Sequence, residues 1–164
     1  MAELIPGVRN AARALIVRDS HLLLLHKQGG LHALPGGGQE TGETLLEALQ
    51  RECREEIGCE VLAPELLRVS DYFKLKQSDP PTRRHQVDFL FRCRVAADYV
   101  PHNGPSPDKR QTGVAWLPVA SLPDCRFSPA YLGEVLPEVL ASGISSAAPS
   151  GPLYMGEFHD LATS

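Results

Sequence analysis

Residues 35–59 read PGGGQETGETLLEALQRECREEIGC, a glycine run that leads through a short polar stretch into a run with helical period. Thr41 is placed to cap a helix over about 43–57, with Glu43 in its first turn, where the helix dipole favours a carboxylate. Leu46, Leu49, Cys53 and Ile57 recur at i, i+3, i+7 and i+11. At about 100° per residue they cover roughly 80° of arc, a stripe suited to packing on a core. Gly58 supplies a natural end to the helix. A second stripe adjoins the first but is separate from it. With Glu52 taken as the origin, Glu56 falls near 40° and Glu55 near 300°, so three carboxylates share about 100° of one face.

An acidic helix face is ordinarily a solvated one. Arg51, four residues before Glu55, offsets part of the repulsion. The other reading is a hard-cation site, because Mg²⁺ takes carboxylate oxygens and leaves room for substrate phosphate. The adjacent glycines favour this second reading. Gly36, Gly37 and Gly38 allow close backbone approach, with carbonyls for a cation and amides for phosphate. No Gly-Lys-Ser/Thr follows, so the run is not a P-loop, and Gly36-Gly37-Gly38-Gln39 does not match GxGxxG.

The spacing of Gly37, Glu43, Arg51-Glu52, Glu55-Glu56 and Gly58 resembles the Nudix box, GX5EX7REUXEEXGU, where U is a bulky aliphatic residue. Every invariant position is filled over residues 37–59. The likeness extends to Leu34-Pro35-Gly36-Gly37 before the box and to Trp116-Leu117-Pro118 late in the chain. Both U positions hold cysteine, Cys53 and Cys59, which pack as small hydrophobes. The resemblance implies an α+β fold, an αβα sandwich around a mixed β-sheet with a loop–helix–loop motif. It implies Mg²⁺- or Mn²⁺-dependent hydrolysis of a nucleoside diphosphate linked to another moiety. Carried over position by position, Glu52, Glu55 and Glu56 are the expected metal ligands, with the Gly36 carbonyl beside them. Arg51 is expected to orient the glutamates, and Glu43 to hold the loop–helix–loop.

Outward from this segment the chain is rich in strands. Residues 11–18 and 21–26 suggest a hairpin, and 31–34 a short strand stopped at Pro35. Residues 60–76 and 84–97 have strand character. In the latter, Val87, Phe89, Phe91, Cys93 and Val95 alternate with Asp88, Leu90, Arg92 and Arg94. Residues 98–110 form a surface loop, 112–119 a strand and about 128–140 a last helix, while Leu153–Phe158 regains strand character. This pattern suggests a mixed sheet with helices against it. The 164 residues suit one domain, expected over 1–140, with small residues from 141 forming a linker and tail to 164. The tail is expected to pack on the domain or on a partner in a homodimer, since Nudix proteins are often dimers. A net charge of −4 offers no broad field for duplex nucleic acid. The start lacks a basic and apolar leader, no run is long enough to span a membrane, and the four cysteines have no CxxC spacing. A reduced cytoplasmic chain is the expectation.

A small nucleotide-type substrate is expected, although its identity is poorly specified. Many Nudix proteins carry an acid shortly before the late tryptophan, whereas the stretch from Lys109 to Ala115 has none. Asp108 is the nearest candidate, with a solvated loop residue as the ordinary reading. Arg84 and Tyr72 are further candidates for a base or phosphate pocket. Three alternatives stand beside diphosphate hydrolysis. They are a nucleoside triphosphate pyrophosphatase sanitising oxidised dNTPs, a nucleotide-sensing module without turnover, and an acidic structural helix with no ligand.

Overall fold

The computed structural model describes residues 2–142 and 150–161. Among these residues nine strands form one sheet: β1 (Glu3–Arg18), β2 (His21–Lys27), β3 (Leu31–Ala33), β4 (Gly36–Gly38), β5 (Leu62–Lys76), β6 (Thr82–Arg94), β7 (Gln111–Pro118), β8 (Arg126–Phe127) and β9 (Tyr154–His159). Two α-helices accompany it, α1 (Leu45–Ile57) and α2 (Leu132–Ala141). Strand order is β8-β3-β2-β1-β6-β5-β9, with β4 also on β1 and β7 also on β2. The pairing is mixed: β1 runs parallel to β6, whereas β5 runs antiparallel to it.

Four leucines in a row explain the layering. Leu22, Leu23, Leu24 and Leu25 are all buried, because a strand turns successive side chains to opposite faces and both faces of β2 are covered. Leu22 and Leu24 join Leu15, Leu90 and the inner residues of α2, including Leu132, Leu136 and Val139. Leu23 and Leu25 join Ala12, Ala14, Ile16 and the α1 residues Leu49, Cys53 and Ile57. A helix on each face of a mixed sheet is the αβα sandwich that the resemblance implied.

Several local readings are corrected. The N-cap of α1 is Thr44, not Thr41. Thr44 Oγ1 accepts from Glu47 N–H, and Glu47 returns a bond to Thr44 N–H. Thr41 lies in the turn closed by Glu43 N–H to the Glu40 carbonyl, so Glu43 precedes the helix. Leu46 is 46% exposed, and Ala48 takes a buried place in α1 instead. In β6, Asp88 and Leu90 are buried along with Phe91 and Cys93 of the alternating set, since α2 covers the face opposite Phe91 and Cys93. The last helix starts at Leu132, after a turn containing Ser128-Pro129. Within the linker and tail, residues 143–149 and 162–164 lie outside the described residues. Ser150 accepts from buried Arg68, and β9 pairs in parallel with β5.

Candidate active site

The glycine strand brings α1 against the sheet. β4 pairs with β1 through Ala11–Gly38, Ala12–Gly37 and Arg13–Gly36. A side chain at Gly36 would strike the Ala12 carbonyl, and one at Gly38 would strike the Arg9 guanidinium. At Gly37 an added Cβ would lie 2.7 Å from the Glu52 carboxylate. Lack of side chains therefore lets three charged or polar groups close on the same short backbone.

Arg51 ties the box together. Its guanidinium donates to both oxygens of Glu43 (2.7 and 3.0 Å), to Glu52 (3.0 Å) and to the Gly38 carbonyl (2.9 Å), and lies 3.5 Å from Glu55. The hydrogen bonds from Arg51 hold the Glu43 carboxyl down at about 2. Glu56 differs from its neighbours. It is 4% exposed, not on a solvated face, and accepts from Gly36 N–H at 2.8 Å. Burial, with Glu52 and Asp108 nearby, pushes its carboxyl up to about 8. Burial also raises Glu52, against the opposing pull of Arg51.

Glu52 and Glu56 line a cavity of about 320 Å³. Asp108 lines it too, correcting the reading of this residue as a solvated loop acid. The loop is held by the carbonyls that α1 leaves unpaired at its C-terminus. Gly104 N–H and Gln111 Nε2 donate to the Glu56 carbonyl, Ser106 N–H to Glu55 and Tyr99 Oη to Ile57. Asp108 pairs with Lys27 at 2.7 Å, which keeps its carboxyl below the usual value although burial opposes this. Glu55 is not part of the lining, and its side chain is 40% exposed. Gly36 and Tyr72 are part of it, whereas Arg84 lies outside.

Sequence reasoning missed the rest of the lining, notably Arg9, Arg13, Lys27, Lys74 and Gln86. Arg9, Ala11 and Arg13 are spaced by two in β1, so they share one face; that alternation was the available signal. Behind the cavity, Asp88 accepts from Gln86 Nε2 and Tyr131 Oη and lies 3.5 Å from Arg13. Tyr72 Oη donates to Asp160 at 2.7 Å, which raises the phenol further beyond the effect of its burial.

Among the described residues, no three His, Cys, Asp or Glu side chains converge into a closed cation cage. Arg51 draws Glu52 toward itself, and Gly36 N–H holds Glu56. The donors are nevertheless hard oxygens of the kind that Mg²⁺ selects. A buried carboxyl held up at about 8 also fits a divalent ion, since the ion would replace the proton.

The NUDIX domain model matches residues 7–139, and the chain belongs to the Nudix family of hydrolases. It is 34% identical over 85 residues to an ADP-ribose pyrophosphatase of Methanocaldococcus jannaschii, covering 49% of this chain and 47% of that one. It is 36% identical over 97 residues to the nucleoside triphosphatase NudI of an Enterobacter species, covering 57% and 65%. The chain thus spans less than two thirds of the length of either relative. The crystal structure of a mutator MutT protein from Bacillus halodurans superposes with a TM-score of 0.63 at 21% identity, covering 92% of this chain and 89% of that one. A MutT Nudix hydrolase from Burkholderia pseudomallei gives 0.61 at 23% identity, covering 78% and 96%. At these identities the two structures speak for the fold alone. Nudix hydrolases generally use divalent metals. No helix among the described residues is long and apolar enough to cross a membrane.

Proposed function

We propose that this protein hydrolyses the diphosphate linkage of a nucleoside diphosphate joined to a second moiety, with Mg²⁺ or Mn²⁺ held by Glu52, Glu55, Glu56 and the Gly36 carbonyl. The observation that carries this reading is the convergence of Glu52, Glu56 and Asp108 on one cavity that also holds Arg9, Arg13 and Lys74. A bound divalent ion would neutralise phosphoryl oxygens and lower the pKa of water. The chain's own residues do the positioning. Arg51 fixes Glu52 and Glu43, the glycine strand admits Glu52 to the backbone, and Arg13 meets the negative charge of the diphosphate. Phosphoryl transfer needs this placement and charge neutralisation more than a covalent intermediate. Asp108, on the loop docked against the end of α1, lines the same cavity and would take a proton from attacking water. The names of the two relatives support a nucleotide-type substrate.

The test is one substrate panel with Mg²⁺ or Mn²⁺: ADP-ribose, nucleotide sugars, dinucleoside polyphosphates, and normal and oxidised dNTPs, with products separated by chromatography. Turnover is expected for the wild type and is expected to fall at least about a hundredfold in Glu55→Gln, Glu56→Gln. Pyrophosphate as product would instead favour a triphosphate pyrophosphatase. Folded protein that binds nucleotides but turns none over would favour the sensing module.

A further inference from the structure

The sheet face that floors the cavity continues outward beyond it. Arg9 pairs with Gln86, and Gln86 with Tyr72, in one row across β1, β6 and β5. One step along the same face, Arg84 pairs with Lys74. The intervening pair, Phe73 and His85, stacks on the opposite face with ring centroids 4.5 Å apart. Arg9, Arg84 and Lys74 are therefore neighbours on one side of the sheet, at the edge of the cavity.

Their charges are not spent locally. Among the described residues, none of the three forms an ion pair, whereas Arg13 lies beside Asp88 and Lys27 beside Asp108. The Nε–H groups of Arg13 and Arg84 are buried with no hydrogen-bond partner. Buried donors are ordinarily paired; Arg13 Nε at least has Asp88 at 3.5 Å, whereas Arg84 Nε still needs an acceptor. Asp160 lies near Lys74, but its carboxylate already accepts from Tyr72 Oη and Leu75 N–H. Desolvation and the positive charges of Arg13, Arg9 and Lys27 push the Lys74 ammonium below its usual value. Such crowding is unfavourable until an anion arrives.

We propose that Arg9, Arg84 and Lys74 form a binding ledge for phosphoryl groups beyond the scissile diphosphate, so that the preferred substrate continues as a polyphosphate chain. This rests on the pyrophosphohydrolase reading above. The cation at the glutamates and Arg13 answer the charge of a diphosphate, and a neutral sugar as second moiety would leave the ledge unused. A third and fourth phosphate would occupy it, with the guanidinium of Arg84 suited to paired contacts with phosphoryl oxygens.

Two measurements separate this proposal from the reading beneath it. The first compares diadenosine diphosphate with diadenosine tetraphosphate, which carry the same nucleosides and differ in phosphate number. KM is expected to be at least about tenfold lower for the tetraphosphate. In Lys74→Gln, Arg84→Gln the ratio of the two KM values is expected to fall toward one. The second uses calorimetry without metal or turnover. Wild-type protein is expected to bind inorganic tripolyphosphate more tightly than pyrophosphate, and the double variant to lose that preference while retaining the wild-type circular-dichroism spectrum. Turnover with equal KM values, or an unchanged ratio in the variant, overturns the ledge and leaves the hydrolase reading standing. A tripolyphosphate preference that the variant abolishes, without turnover of any substrate, supports the ledge and removes the hydrolase reading. Equal binding of tripolyphosphate by both proteins overturns the ledge.

Discussion

Glu56 is the residue on which the metal reading turns. A carboxyl at about 8 in the folded chain, against 4.5 for the ordinary group, makes stability depend on pH. Below about 4.5 both folded and unfolded chains carry the proton, and the contribution is fully present. As pH rises toward about 8 the unfolded chain ionises while the folded one does not, so this contribution is lost across that window. A divalent ion reverses the balance, because the carboxylate is the form that binds it. The rise in melting temperature caused by Mg²⁺ is therefore expected to be larger at pH 8 than at pH 5.5. Glu56→Gln is expected to make the two rises nearly equal, and thermal denaturation at the two pH values checks this. Reading this residue from the sequence succeeded in part. The i, i+4 spacing placed Glu56 beside Glu52, but only the approach of the glycine strand made it a buried group.

Helix α1 shows what pattern alone decides. Its existence followed from periodicity and its end from Gly58, and its start did not. Thr41 and Thr44 both offer a hydroxyl; the choice rests on Glu47, which stands three residues after Thr44 and completes the capping box. Thr44→Ala is expected to cost about 1 kcal/mol of stability in urea denaturation, whereas Thr41→Ala is expected to cost less than about 0.5 kcal/mol. The loop that delivers Asp108 was harder to read. Its docking uses backbone donors of Gly104 and Ser106 against the end of α1, and backbone groups leave no compositional trace. In β6, alternation could not reveal that both faces were to be covered, because the covering helix lies about 40 residues further on in the sequence. Asp88 was hidden for that reason.

The molecule is closed by its last described strand. β9 adds to the edge of the sheet, Arg68 secures Ser150 before it, and Asp160 after it receives Tyr72 Oη and Leu75 N–H. Tyr72 lines the cavity, so the sheet edge and the site are mechanically continuous. Asp160→Ala would leave the buried Tyr72 hydroxyl without its acceptor, at a cost of about 1–3 kcal/mol. Melting curves are expected to shift down, and a Tyr72→Phe background is expected to remove most of that shift. The family model ends at residue 139, before this strand begins. Tyr72 and Asp160 are 88 residues apart in the chain. On a ribosome adding about 5–20 residues per second, the tyrosine waits roughly 4–18 s for its partner to be made. A nascent chain can have synthesised every glutamate of α1 and still hold an unfinished pocket wall, so the site reaches its final shape only once Asp160 has been made.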